Sequence, residues 1–247
     1  MEHNLRLVQL AKILFFRPNF DTSTLYGHAW LGESLKLALN LGHEVVDLEG
    51  ENATETRFFE EMGSFQPDFV AAVGHGSASV FSGQDAETVL QACTNDQVMA
   101  GKEAYFLSCL MGQRLIPSMI SKGAYTVAGY TTEFTWSIDD RYLNRPLEDP
   151  RAYPFMAAFM EGLRVLLEGG TWSRFYDATV NMFNAGIAEW TLSTDLEAVD
   201  VVAGLKQDRN SLIVLGEGQV SPQVFVDPVS IPSLALPVAL FLLTIVL

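Results

Sequence analysis

The chain carries only two cysteines, Cys93 and Cys109, in 247 residues. So few exclude a disulfide framework, and without a CxxC pair or a Cys/His cluster there is no zinc motif. The four histidines, His3, His28, His43 and His75, stand far apart with no metal-ligand spacing. No metal and no cofactor is therefore expected. Basic residues are also scarce, at 15 Lys and Arg against 30 Asp and Glu, for a net charge of −15. Electrostatic binding of nucleic acid needs clustered cations to neutralise phosphates, so nucleic acid is excluded as a partner. The acidity is read first as a solubility device and second as a field favouring basic substrates. No internal repeat or low-complexity segment is visible. The N-terminus does not read as a secretory signal either, because Arg6, Gln9 and Lys12 interrupt the apolar stretch after Met1–Asn4.

What the chain does have is apolar residues, 49% of the total, enough for a sizeable core. Short apolar runs alternate with segments of helical period. Strands are expected at Lys12–Arg17, His43–Leu48, Asp68–Gly74, Ala104–Ser108, Ala124–Tyr130 and Leu212–Leu215. Helices are expected at Leu25–Leu41, Glu55–Met62, Asp85–Cys93, Gly112–Lys122, Tyr153–Glu168 and from a Thr171 cap to about Trp190. The acidic stretch Asp195–Asp200 reads as a solvated connection. Such alternation with short connections implies an α/β domain over residues 10–220, built on a largely parallel sheet. Residues 131–153 show no period, and a loop of that length in a compact domain is usually functional.

The C-terminal segment, residues 229–247, differs from the rest. From Ile231 onward only Ser233 and Thr244 are polar. As a helix these residues would span roughly 25 Å, at the short limit for crossing a bilayer core, although Pro237 would kink them. The expectation is a membrane anchor of undetermined orientation, and hence membrane association through the C-terminus.

Two of the expected strands end on reactive side chains: Asp68-Phe-Val-Ala-Ala-Val-Gly74 delivers His75-Gly76, and Ala104-Tyr-Phe-Leu-Ser108 delivers Cys109. In open α/β sheets functional groups collect at the carboxyl ends of the strands. Neighbouring strands would set an imidazole beside a thiol, and a base or a positive field then raises the thiolate fraction. His75 and Cys109 are the candidate catalytic dyad. Cys93 falls in an expected helix and reads as a packed thiol.

The segments GHGSAS (Gly74–Ser79), LSCLMG (Leu107–Gly112) and SKGAYTVAGY (Ser121–Tyr130) resemble the caspase-like cysteine peptidases, a group that includes caspases, legumains and gingipains. The separation of 34 positions from His75 to Cys109 looks closer to the gingipain branch, and LIVLGEG (Leu212–Gly218) is similar to a late strand and turn of that branch. The resemblance implies a caspase-like three-layer sandwich and peptide-bond hydrolysis of a protein or peptide substrate. It implies Cys109 as nucleophile, His75 as acid/base, and an oxyanion hole from the backbone amides of Gly76 and Cys109. In these families the loop after the fifth strand helps form the pocket for the residue before the cut. Glu133, Trp136, Asp139 and Asp140 are accordingly the substrate-pocket candidates, the carboxylates suiting Arg or Lys. Two alternatives remain open: a catalytically inactive caspase-like interaction module, and a flavodoxin-like ligand-binding domain in which GHGSAS cradles an anion. Oligomeric state and preferred cleavage residue are not legible.

Overall fold

A computed structural model describes residues 10–221. The expected anchor over residues 229–247 lies outside the described residues, and no helix among them is long and apolar enough to cross a membrane.

Six strands form the central sheet: β1 (Lys12–Arg17), β2 (Glu44–Glu49), β3 (Phe69–Val73), β6 (Glu103–Leu107), β7 (Thr126–Tyr130) and β8 (Leu212–Gly216). A separate hairpin pairs β4 (Val80–Ser82) with β5 (Thr88–Gln91). The sheet order is β2-β1-β3-β6-β7-β8, parallel throughout except for β8, which runs antiparallel to β7. The interior strands read as unbroken apolar runs because both faces of a parallel sheet are covered. β3 is buried at all five of its positions.

Alternation of side chains along each strand divides the core in two. Ile13, Phe15, Ala71, Val73, Tyr105 and Tyr130 face α1 (Thr22–Asn40), α4 (Tyr153–Leu167), α5 (Trp172–Thr191) and α6 (Ala198–Ser211). Leu14, Phe16, Val70, Ala72, Phe106 and Val127 face α2 (Glu55–Ser64), α3 (Leu115–Ser121) and the β4–β5 hairpin. The result is a three-layer α/β fold with a largely parallel sheet, as the alternation of elements in the sequence implies.

Four local expectations are corrected. Asp85–Cys93 is not a helix: Asp85, Ala86 and Cys93 all take positive φ, near +53°, +61° and +63°, which breaks any right-handed helix, and β5 lies between them. Cys93 is consequently an exposed thiol rather than a packed one. The acidic connection around Asp195–Asp200 instead runs into α6, whose Val201 and Leu205 enter the core. The helix expected from Gly112 begins only at Leu115, after a single 3-10 turn at Met111–Gln113.

The long loop before α4 is ordered around one carboxylate. Asp149 is fully buried and accepts from Tyr26 Oη at 2.6 Å, Asp139 N at 3.0 Å, Arg151 N at 2.9 Å and Ala152 N at 3.3 Å. Burial and the neighbouring Asp149 push the Tyr26 hydroxyl well above its ordinary pKa, so it stays a donor. These bonds tie the loop to α1 and fix its path over the carboxyl edge of the sheet.

Candidate active site

The order β2-β1-β3 makes the chain reverse its direction of travel across the sheet at β1. Crevices form at such reversals, outside the carboxyl ends of the two strands concerned. Here the residues past β1 supply Asp21 and those past β3 supply His75. His75 Nε2 lies 2.6 Å from Asp21 Oδ2. Phe20 packs edge-on to the imidazole with ring centroids 5.8 Å apart. A carboxylate can only accept, so Nε2 carries the proton and Nδ1 is left as the basic nitrogen.

Asp21 has two duties. It is the N-cap of α1, with Oδ1 accepting from Thr24 N at 2.8 Å while Thr24 Oγ1 accepts from Asp21 N at 3.0 Å. Its other oxygen holds His75. Burial alone would raise the Asp21 pKa, but the bonds from Thr24 and His75 outweigh it and the net direction is downward. Sequence reading missed this residue. The signal available was the D-x-x-T pattern four residues past a strand, which marks a cap, not a partner for a residue 54 positions away.

β6 runs next to β3 with Val73 opposite Leu107, so Ser108 and Cys109 emerge beside Gly74 and His75. The pair shares one cavity of about 100 Å³, with walls from Gly27, Val73, Leu107, Phe134 and Trp136. No hydrogen bond joins His75 to Cys109 among the described residues. The thiol instead contacts the Phe134 carbonyl at 3.9 Å. Burial foremost, and the charge of Glu133 beyond it, push the Cys109 thiol above its ordinary pKa. The α3 dipole does not act on it directly, because that helix starts six residues later.

Gly76 is held against the cysteine loop. A methyl group built on it would lie 2.2 Å from Ser108 Oγ and 2.7 Å from the Cys109 carbonyl oxygen, so only glycine fits. Gly76 sits opposite Phe81 in an antiparallel bridge whose bonds are carried by its neighbours, Ser77 N to Val80 O and Ser82 N to His75 O. The Gly76 and Cys109 amides therefore have no protein acceptor among the described residues. Leu110 follows in a left-handed conformation, φ near +63°, held by its N–H on Thr132 O at 2.9 Å. A non-glycine residue there costs about 1–3 kcal/mol, and the sharp turn presents Cys109 at the rim.

Of the four pocket candidates, only Trp136 lines the cavity. Asp139 is buried and committed to the Arg141 guanidinium, which holds its carboxyl down to about 2. Glu133 and Asp140 are exposed and are not among the cavity walls. His43 and His28 are structural: His43 Nε2 donates to Leu167 O at 2.8 Å, and His28 Nδ1 donates to Arg17 O at 3.0 Å.

No protein-family model matches the chain, and no curated protein matches it. Among the described residues no group of three or more His, Cys, Asp or Glu side chains is placed to hold a metal ion.

Proposed function

We propose that the chain is a caspase-like cysteine peptidase in which Cys109 attacks the scissile carbonyl and His75 manages the protons. The observation that carries this reading is that His75 and Cys109 line one cavity, while the amides of Cys109 and of Gly76, which packs against the Cys109 carbonyl, have no protein acceptor among the described residues. Attack forms the C–S bond and places negative charge on the carbonyl oxygen, where the two amides donate. The thiol proton passes to His75, which delivers it to the leaving amine as the C–N bond breaks. Water, deprotonated by the same imidazole, then hydrolyses the thioester and regenerates the thiol. Asp21 stabilises the imidazolium that forms in between. One oxyanion donor contributes about 3 kcal/mol to such a transition state.

A second reading, an inactive binding module of the same fold, is favoured by one feature: the resting thiol is raised in pKa and turned to the Phe134 carbonyl. A flavodoxin-like cofactor domain has less support. The cavity of about 100 Å³ is small, whereas cofactor-sized pockets occupy about 300–1,000 Å³. Peptide-library cleavage by wild type and Cys109→Ala in parallel decides between the first two. Cleavage that disappears in the variant supports the peptidase, and no cleavage by either supports the binding module.

A further inference from the structure

Helix α6 does more than fill the core. Its C-terminal half holds, from one side, the segment that leaves β7, residues 131–136. The Ser211 carbonyl, left open at the helix end, accepts from Thr131 N at 2.9 Å. Gln207 Nε2 donates to Glu133 O at 2.8 Å, and Asp208 Oδ1 accepts from Thr135 N at 3.1 Å. These last two bonds take hold of the backbone on either side of Phe134. The helix lies close here, because a methyl group built on Gly204 would be 3.0 Å from Thr135 Oγ1.

The same segment is bonded on its other side to the nucleophile loop. Thr132 O accepts from Leu110 N at 2.9 Å, and Thr131 O accepts from Gln113 Nε2 at 2.8 Å. Phe134 O lies 3.9 Å from Cys109 Sγ. Phe134 and Trp136 are walls of the cavity shared by His75 and Cys109. A shift of the segment therefore moves the cavity wall together with the turn that presents Cys109. Asp208 is completely buried, and burying a carboxyl to satisfy one amide is costly compared with an apolar side chain. Core packing alone gives no reason for it, whereas fixing one conformation of residues 133–135 does.

We infer that Gln207 and Asp208 are positioning residues: they clamp the two flanks of Phe134, so that residues 131–136 hold Cys109 and its cavity in the arrangement used for catalysis. Neither side chain lines the cavity, so both act through the segment they hold. The inference rests on the peptidase reading for what that arrangement does, and on the hydrogen bonds alone for the clamp.

Labelling both cysteines in one sample tests the clamp. Asp208→Leu removes the acceptor at similar side-chain size, and Gln207→Glu sets a carboxylate against the Glu133 carbonyl. In each full-length variant, iodoacetamide labelling of Cys109 relative to exposed Cys93 should rise about fivefold, the factor for one lost hydrogen bond. Toward a cleaved peptide, kcat/KM should fall by about tenfold to a hundredfold, as expected for reacting groups misplaced by about 1 Å. Asp208→Asn keeps an acceptor for Thr135 N; it should leave the labelling ratio low and recover most of kcat/KM. Should Asp208→Leu fail to fold, Gln207→Glu, at an exposed position, decides alone. Local release gives a ratio nearly independent of urea below the unfolding transition, whereas global unfolding gives one that climbs with urea. An unchanged ratio, an equal rise in Asp208→Asn, or a rise that climbs with urea overturns the inference, whether or not the wild type cleaves. Where it does cleave, an undiminished kcat/KM overturns it too. No cleavage by the wild type, together with the expected labelling pattern, would count against the peptidase reading alone.

Discussion

Asp21 Oδ2 and His75 Nε2 meet at 2.6 Å across the gap between the carboxyl ends of β1 and β3. The same carboxylate caps α1 through its other oxygen, so the site histidine is anchored to a helix start. The two roles separate by substitution. Asp21→Asn retains a good capping oxygen but places a neutral amide against the imidazole. Folding stability should change little, while kcat/KM falls by about tenfold to a hundredfold. A loss of stability equal to that of Asp21→Ala, with kcat/KM unchanged in Asp21→Asn, would reduce Asp21 to a cap.

Gly76 gives the second prediction. Gly76→Ala must displace Ser108 or the Cys109 carbonyl, because both lie under 3 Å from the new methyl. Overpacking of this kind costs about 1–3 kcal/mol of stability, and a misplaced oxyanion donor costs about 10²–10³ in kcat. Denaturant unfolding and steady-state kinetics on the same preparation read the two effects. A variant that unfolds more easily but keeps kcat would remove Gly76 from the oxyanion hole.

Much of the fold was legible because strand and helix periods are strong where burial is two-sided. KILFFR is β1 residue for residue, and Thr171 caps α5 as its position suggested. The errors fall where local chemistry is ambiguous. ETVLQA carries apolar residues at a spacing compatible with helix, and nothing in it announces the positive φ of Asp85 and Ala86. Helix α6 was hidden because its first turn is acidic and, of its apolar side chains, only Val201 and Leu205 are deeply buried. In the site, His75, Gly76 and Cys109 could be found because each follows or ends an apolar run. Asp21 and Asp149 could not, since each acts through contacts more than fifty residues away in sequence. Local acidity misled the reading of the pocket: the carboxylates near Trp136 are engaged with Arg141 or turned to solvent.

The third prediction is a pH dependence of stability. Asp208 is completely buried, and burial pushes its carboxyl well above the ordinary value, with the Thr135 amide bond at 3.1 Å opposing only in part. The folded state therefore holds a proton that the unfolded chain releases near pH 4. Its contribution is fully present below that pH and is lost progressively as pH rises toward the folded pKa. Asp208→Asn keeps the shape and removes the titration. Relative to wild type it should gain stability at pH 8 compared with pH 5, and an identical pH dependence of the two midpoints would show that Asp208 is ionised in the fold.

The two thiols should react in opposite ways. The hydrogen bond to Ser118, with Lys122 and Arg114 nearby, lowers the pKa of exposed Cys93, while burial raises that of Cys109. Iodoacetamide should modify Cys93 first in the free protein, and a peptidyl acyloxymethyl ketone should modify Cys109 selectively, because it brings its own binding energy. Peptide mapping separates the sites. Faster iodoacetamide labelling of Cys109 than of Cys93 would contradict the electrostatics described.

The central claim is that Cys109 becomes acylated. Protein quenched with acid during turnover of a slow peptide ester, digested and mapped by mass spectrometry, should carry the acyl group on Cys109. The adduct should accumulate in His75→Ala, where the imidazole that would activate water for deacylation is missing, and be absent in Cys109→Ala. Ester hydrolysis that proceeds equally in wild type and Cys109→Ala, with no adduct on Cys109, would contradict the account.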